Sequence, residues 1–230
     1  MNGTVRLVRS VPDAFADLVV DSIAGAPGGR TLFLSGGGTA TECYAALAAR
    51  TGIDWTGVDV YLGDERCVPA DDPDSNHRMV ATTLLAAVGP VHADHPMYVD
   101  GPPDAAAAAY QALVAPLPDL GLVHLGLGPD GHTASLFPGT AALDDLDPSH
   151  LVVANRDPSG RNPYERLTLT YPAIGRARRV VFTVSGTSKR DALARIADGE
   201  DLPAARVAGP DVLWLVDAAA LGDLPPDRTG

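Results

Sequence analysis

Short apolar runs alternate with helical periodicities along almost the whole chain. Val5 to Val8 alternates as a strand does, and Pro12 to Ile23 repeats its apolar positions at helical spacing, with a proline near its start. Thr31 to Leu34 predicts a buried strand that runs into S-G-G-G-T, and an alanine-rich helix follows from Ala40 to Arg50. Val58 to Leu62 predicts the next strand and leads into G-D-E-R. Ser75 is placed to cap a helix running to Val88. Asp104 to Val114 reads as a further helix, and Leu122 to Leu127 as the central strand. Leu151 to Ala154 and Leu167 to Thr170 read as strands around a polar loop. Val180 to Val184 is a buried strand followed by S-G-T-S-K and a helix over Arg190 to Ala197. Val212 to Val216 closes the sheet, with a last short helix behind it. Strands separated by helices predict an α/β fold, a Rossmann-like parallel sheet with helices on both faces in a three-layer sandwich. A mixed edge to that sheet is allowed. With no internal repeat and no long linker, one domain is expected over 1–230, its core spanning 5–220 and its tail, 223–230, frayed.

Composition narrows the class. Hydrophobic residues make up 46% of the 230, enough for a well-buried core, yet no apolar run approaches the ~20 residues that span a bilayer. The first residues, M-N-G-T-V-R-L-V-R-S, lack a secretory apolar core, so a cytoplasmic protein is expected. The formal net charge of -12 argues against nucleic acid as a partner. It also means that an anionic metabolite would need a local basic cluster. Cys43, in a predicted helix, and Cys67, in a loop, are read as free thiols.

Four segments carry candidate chemistry. S-G-G-G-T, Ser35 to Thr39, stands between a strand and a helix. Its glycines Gly36, Gly37 and Gly38 let backbone amides approach a phosphate, and the helix start adds a positive dipole end. It lacks the lysine and spacing of a Walker loop. In G-D-E-R, Asp64, Glu65 and Arg66 combine two carboxylates with a guanidinium that could hold hydroxyls and an anion, or form a plain surface ion pair. In S-G-T-S-K, Lys189 stands where a helix dipole disfavours a cation, a conflict that a bound phosphate removes. Arg166 is a further candidate cation, whereas Arg156 and Arg161 read as loop charges.

The fourth segment is G-L-G-P-D-G-H-T-A-S-L-F-P-G, Gly126 to Gly139. Gly126, Gly128 and Gly131 match G-x-G-x-x-G literally, but Asp130 would press a carboxylate against a pyrophosphate. No acidic residue closes a strand some twenty positions later. Asp130 and His132 fit acid–base work instead. Of the other histidines, His77 could touch a ligand, His92 and His95 read as loop residues without enough ligands for a metal, His124 as a core or interface residue and His150 as exposed.

Together L-S-G-G-G-T, L-G-D-E-R-C-V-P, D-S-N-H-R, L-G-L-G-P-D-G-H-T-A-S-L-F-P-G, E-R-L-T-L-T and S-G-T-S-K resemble the 6-phosphogluconolactonases, in the family's order over residues 32–189. The related glucosamine-6-phosphate deaminases share the D-G-H core but resemble D-G-H-I-A-F-N-E-P after it and carry D-E-Y earlier. This chain has T-A-S-L-F-P and Arg66. It departs from the lactonases in R-N-P-Y-E, residues 161–165, where a Lys- and Pro-rich stretch is common.

The resemblance implies hydrolysis of 6-phospho-D-glucono-1,5-lactone in the oxidative pentose phosphate pathway, with no metal and no cofactor. It implies catalytic roles for His132, Asp130 and Arg66. His132 acts as general base, Asp130 orients it or the water, and Arg66 or amides of the glycine turn stabilise the oxyanion. The phosphate falls to Ser35, Gly36, Gly37, Gly38, Thr39, Lys189 and Arg166. Asp64 and Asn76 bind sugar hydroxyls or fix Arg66. The expected partner is the sugar phosphate lactone, not a membrane or nucleic acid, and the chain is a monomer or small homo-oligomer. An amino-sugar-phosphate isomerase or deaminase and a non-catalytic sugar-phosphate sensor are the alternatives.

Overall fold

The computed structural model describes residues 2–25 and 30–225. The last five residues of the tail expected to fray, 226–230, lie outside the described residues. In chain order the elements are β1 (Thr4–Leu7), α1 (Val11–Ala24), β2 (Arg30–Leu34), α2 (Gly38–Ala48), β3 (Val58–Leu62), β4 (Asp64–Arg66), α3 (Asn76–Val80), α4 (Ala86–Val88), β5 (Ala93–Asp94) and α5 (Pro103–Val114). They continue with β6 (Leu122–Leu125), β7 (Val152–Arg156), β8 (Glu165–Leu169), α6 (Tyr171–Ile174), β9 (Arg179–Val184), α7 (Arg190–Ala197), α8 (Pro203–Arg206), β10 (Val212–Val216) and α9 (Ala218–Leu221).

Local chemistry explains the boundaries. The Ser10 hydroxyl accepts from the Asp13 amide at 3.3 Å and starts α1, with Pro12 in its first turn. The Ser75 hydroxyl does the same for α3, accepting from the Arg78 amide at 3.1 Å. The helix expected from Ser75 to Val88 forms, but Ala81–Leu85 is a π turn between α3 and α4. There the Thr82 hydroxyl donates to the carbonyls of Arg78 and Met79, competing with the regular ladder.

Seven strands form one sheet in the order β1-β10-β9-β6-β2-β3-β5, every pairing parallel. Its central strands are buried on both faces. β10 is V-L-W-L-V with every residue covered, and Trp214 stacks on Phe182 of β9 at 3.7 Å between ring centroids. From β2 the connections step to β3 and β5; from β6 they step the opposite way to β9 and β10. Right-handed crossovers then place α1, α2 and α3 on one face and α5, α7 and α8 on the other, giving the three layers. The direction reverses between β2 and β6. An open α/β sheet leaves its crevice there, outside the carboxyl ends of the strands.

The parallel pattern does not extend to the strands read around the polar loop. β4, β8 and β7 form a separate antiparallel sheet in that order. No helix separates β7 from β8, so the return must be antiparallel. Gly63 joins the two sheets, its amide donating to Leu34 O at 2.8 Å and its carbonyl accepting from the Leu169 amide at 2.9 Å. β5 was not foreseen, because two residues carry no periodicity.

Candidate active site

The loops after β2, β3, β6 and β9 meet at the switch point and, with β8, line a cleft of about 200 Å³. Ser35, Gly36, Gly37, Gly38, Thr39, Asp64, Arg66, Asn76, His132, Arg166 and Lys189 all border it. Asp130 reaches it through His132. Residues from four loops and a second sheet thus converge on one space.

At the β6 loop, Asp130 Oδ1 lies 2.5 Å from His132 Nδ1 and accepts the His132 amide at 3.2 Å. Burial pushes the Asp130 carboxyl up, but the hydrogen bonds and charge of His132 more than offset it and hold it below the usual carboxylate range. It therefore remains an acceptor, which fixes a proton on Nδ1 and leaves Nε2 for chemistry. The His132 ring lies 5.0 Å from that of Phe137, and the Arg166 guanidinium lies 6.0 Å from the same ring. Phe137 is thus a wall shared by base and cation that sequence reasoning missed, although L-F-P was in view. A Cβ on Gly128 would come within 2.1 Å of His132 Nδ1, so only glycine fits behind the imidazole.

The amides of this turn do not face an anion freely. Those of Gly128, Gly131 and His132 are engaged by His132 O, Gly128 O and Asp130 Oδ1. The glycine-turn amides expected to hold an oxyanion are therefore reduced by these three. Ala134, bordering the cleft, has φ +47°, the only non-glycine with positive φ among the described residues.

The β2 loop behaves differently. The amides of Gly36, Gly37, Gly38 and Thr39 donate to no group among the described residues, and α2 starts at Gly38. Ser35 stands apart from them, because its amide donates to Tyr44 Oη at 2.7 Å. A Cβ on Gly36 would fall 1.9 Å from Asn76 Oδ1, so the loop packs directly on that amide side chain.

The G-D-E-R carboxylates divide. Asp64 faces the cleft, accepting from Ser135 Oγ at 2.7 Å and lying 3.9 Å from Arg166 Nη1. Asn76 Nδ2 donates to Asp64 O at 2.9 Å. Glu65 turns away and accepts from the amides of Arg66, Asn76 and His77, which ties β4 to the start of α3. Asp64 and Asn76 do not fix Arg66. That guanidinium donates to the carbonyl of Asp74 instead.

Three cations border the cleft. Arg66 and Arg166 are register partners across β4 and β8, and the buried Nε of each has no hydrogen-bond partner among the described residues. Burial, and then the neighbouring Arg66 charge, lower the Arg166 pKa against the pull of Asp64. Lys189 precedes α7 at its cap; burial lowers its pKa, countered in part by the Asp130 charge. Arg156 pairs with Glu165 in solvent at 3.0 Å, and Arg161 is exposed; neither borders the cleft.

The remaining candidates fall outside the chemistry. His77 pairs with Asp94, His92 with Asp59 and His150 with Asp145. Among the described residues no cluster of three or more His, Cys, Asp or Glu could hold a metal ion. Cys43 and Cys67 are free thiols, pushed up to about 12 and about 11 by burial.

Against known proteins, the family model for glucosamine-6-phosphate isomerases and 6-phosphogluconolactonase matches residues 4–214. The chain belongs to this family. It is 38% identical over 224 residues to the 6-phosphogluconolactonase of Mycobacterium tuberculosis, covering 90% of each. To the Synechocystis 6-phosphogluconolactonase it is 42% identical over 215 residues, covering 86% of each. Among solved structures, the 6-phosphogluconolactonase of Thermotoga maritima superposes with a TM-score of 0.78 at 31% identity, over 93% of this chain and 98% of that one. Among the described residues no helix is long and apolar enough to cross a membrane.

Proposed function

We propose that the protein hydrolyses the ester of 6-phospho-D-glucono-1,5-lactone to 6-phosphogluconate in the oxidative pentose phosphate pathway. One observation carries the reading. A histidine with one ring nitrogen held by a carboxylate shares a cleft with two guanidiniums whose buried Nε atoms lack a partner, a half-buried lysine and four amides that donate to no group among the described residues. The first group suits proton transfer and the second an anionic tail. The names of the relatives agree with that pairing.

In the reaction, His132 Nε2 takes a proton from water as the water oxygen bonds to the lactone carbonyl carbon. Asp130 holds the ring through Nδ1 and stabilises the imidazolium as it forms. The carbonyl oxygen becomes an oxyanion, for which Arg66 is the available charged donor. As the intermediate collapses, the bond to the ring oxygen breaks and His132 returns the proton to it. Gly36 to Thr39, Arg166 and Lys189 hold the phosphate, so remote binding energy positions the carbonyl.

A coupled assay tests this. Glucose-6-phosphate dehydrogenase generates the lactone, and formation of 6-phosphogluconate is followed against spontaneous opening. Turnover well above that background is expected. A rate equal to the background sinks the reading, and ammonia release from glucosamine 6-phosphate would replace it with a deaminase.

A further inference from the structure

Beneath the cleft runs a hydrogen-bonded chain of side chains that the mechanism does not use. Ser35 N–H donates to Tyr44 Oη at 2.7 Å, and Tyr44 Oη returns a bond to Ser35 O at 3.0 Å. Tyr44 Oη lies 2.8 Å from His124 Nδ1, and His124 Nε2 lies 2.8 Å from Thr183 Oγ1. Tyr44 and His124 have no measurable solvent exposure. His124 and Thr183 nonetheless form part of the cleft wall.

One proton arrangement satisfies every member. Tyr44 has a single hydroxyl proton, and the Ser35 carbonyl needs it. His124 Nδ1 must then bring its own proton to Tyr44 Oη. Burial pushes the His124 pKa down to about 3, so the ring carries only that proton and Nε2 is an acceptor. The Thr183 hydroxyl fills it. The chain joins α2, β6 and β9 to the residue from which the β2 loop departs. Thr183 lies two residues before the segment that delivers Lys189.

We propose that Tyr44 and His124 are positioning residues, holding Ser35 by both its amide and its carbonyl so that the amides of Gly36 to Thr39 and the Lys189 segment stay aligned on one phosphate. Backbone that is pinned before the ligand arrives loses less entropy on binding. The inference rests on the lactonase reading for its kinetic readout only.

The test compares wild type, Tyr44→Phe and the double variant Tyr44→Phe/His124→Leu. The single variant leaves Ser35 and His124 unpaired, whereas the double one removes His124's unmet polarity and recovers much of the lost melting temperature. In both, KM for the phosphorylated lactone rises about tenfold with kcat within about twofold, and preference over the unphosphorylated lactone falls by the same factor. Inorganic phosphate binding, measured by calorimetry, weakens in parallel. A KM and phosphate affinity that return to wild type along with melting temperature would overturn the proposal, reducing the pair to fold stability. If the wild type shows no turnover above background, the lactonase reading fails alone, and phosphate calorimetry on the same three proteins still decides the positioning role.

Discussion

Arg66 and Arg166 face each other as direct partners across the antiparallel β4–β8 pair. Opposed residues on such a pair bring their side chains onto one face, and like charges there repel. Each guanidinium also keeps a buried Nε without a partner among the described residues. The fold thus holds an electrostatic conflict at the cleft, which a phosphate held by Arg166, as proposed, would lessen.

That conflict predicts a ligand-dependent stability. Inorganic phosphate at 100 times its Kd should stabilise the wild type by about 2.7 kcal/mol. Arg166→Met should lose most of that gain and raise KM for the phosphorylated lactone by about 10–100-fold. Its melting temperature without phosphate should be no lower than that of the wild type. Thermal unfolding across a phosphate titration reads both. Equal phosphate stabilisation of the two proteins would remove Arg166 from the anion site.

His132→Ala should lower kcat by about 10²–10⁴-fold with the fold intact by circular dichroism, as loss of a general base does. Gly128→Ala reaches the same site from behind. Its Cβ would overlap His132 Nδ1, so kcat should fall while phosphate affinity, set on the other loops, holds. Near-wild-type turnover on freshly made lactone by His132→Ala would exclude the mechanism.

The lowered Lys189 pKa carries a sign. Burial disfavours its cation, so the charge is lost on the alkaline side before an ordinary lysine at 10.5 would lose it. Affinity for 6-phosphogluconate should weaken as pH rises toward that value, and Lys189→Arg should abolish the alkaline limb. Calorimetry on the stable product avoids lactone hydrolysis at high pH. An identical alkaline limb in Lys189→Arg would assign the effect elsewhere.

His124 should contribute to acid stability. Burial holds it to about 3 in the folded state, against 6.5 when exposed. Between these values the unfolded chain binds a proton that the folded chain does not. Its share of stability is complete above 6.5 and drains at roughly a kcal/mol per pH unit as pH falls toward 3. Denaturant titrations of wild type and His124→Leu should converge across that window, because the variant lacks the proton uptake. A constant difference between them would contradict the buried, uncharged ring.

The periodicities and turn chemistry determined the α/β class, most strands and helices, and the loops that carry chemistry. These are local properties. A buried parallel strand must be apolar along its length, and a loop at its carboxyl end must allow close backbone approach. Local properties do not say which loops meet. Strand order decides that, by putting β2 and β6 side by side at the reversal point. The antiparallel β4–β8–β7 sheet then sets Arg166 opposite Arg66, one hundred positions away in the chain. Tertiary packing alone also sorted Asp64 toward Ser135 and Glu65 toward α3, two adjacent carboxylates whose alternation across a strand sends them to opposite surroundings. It likewise joined Tyr44 to His124, since a helix and a strand eighty residues apart share a hydrogen bond only once the core between them has closed.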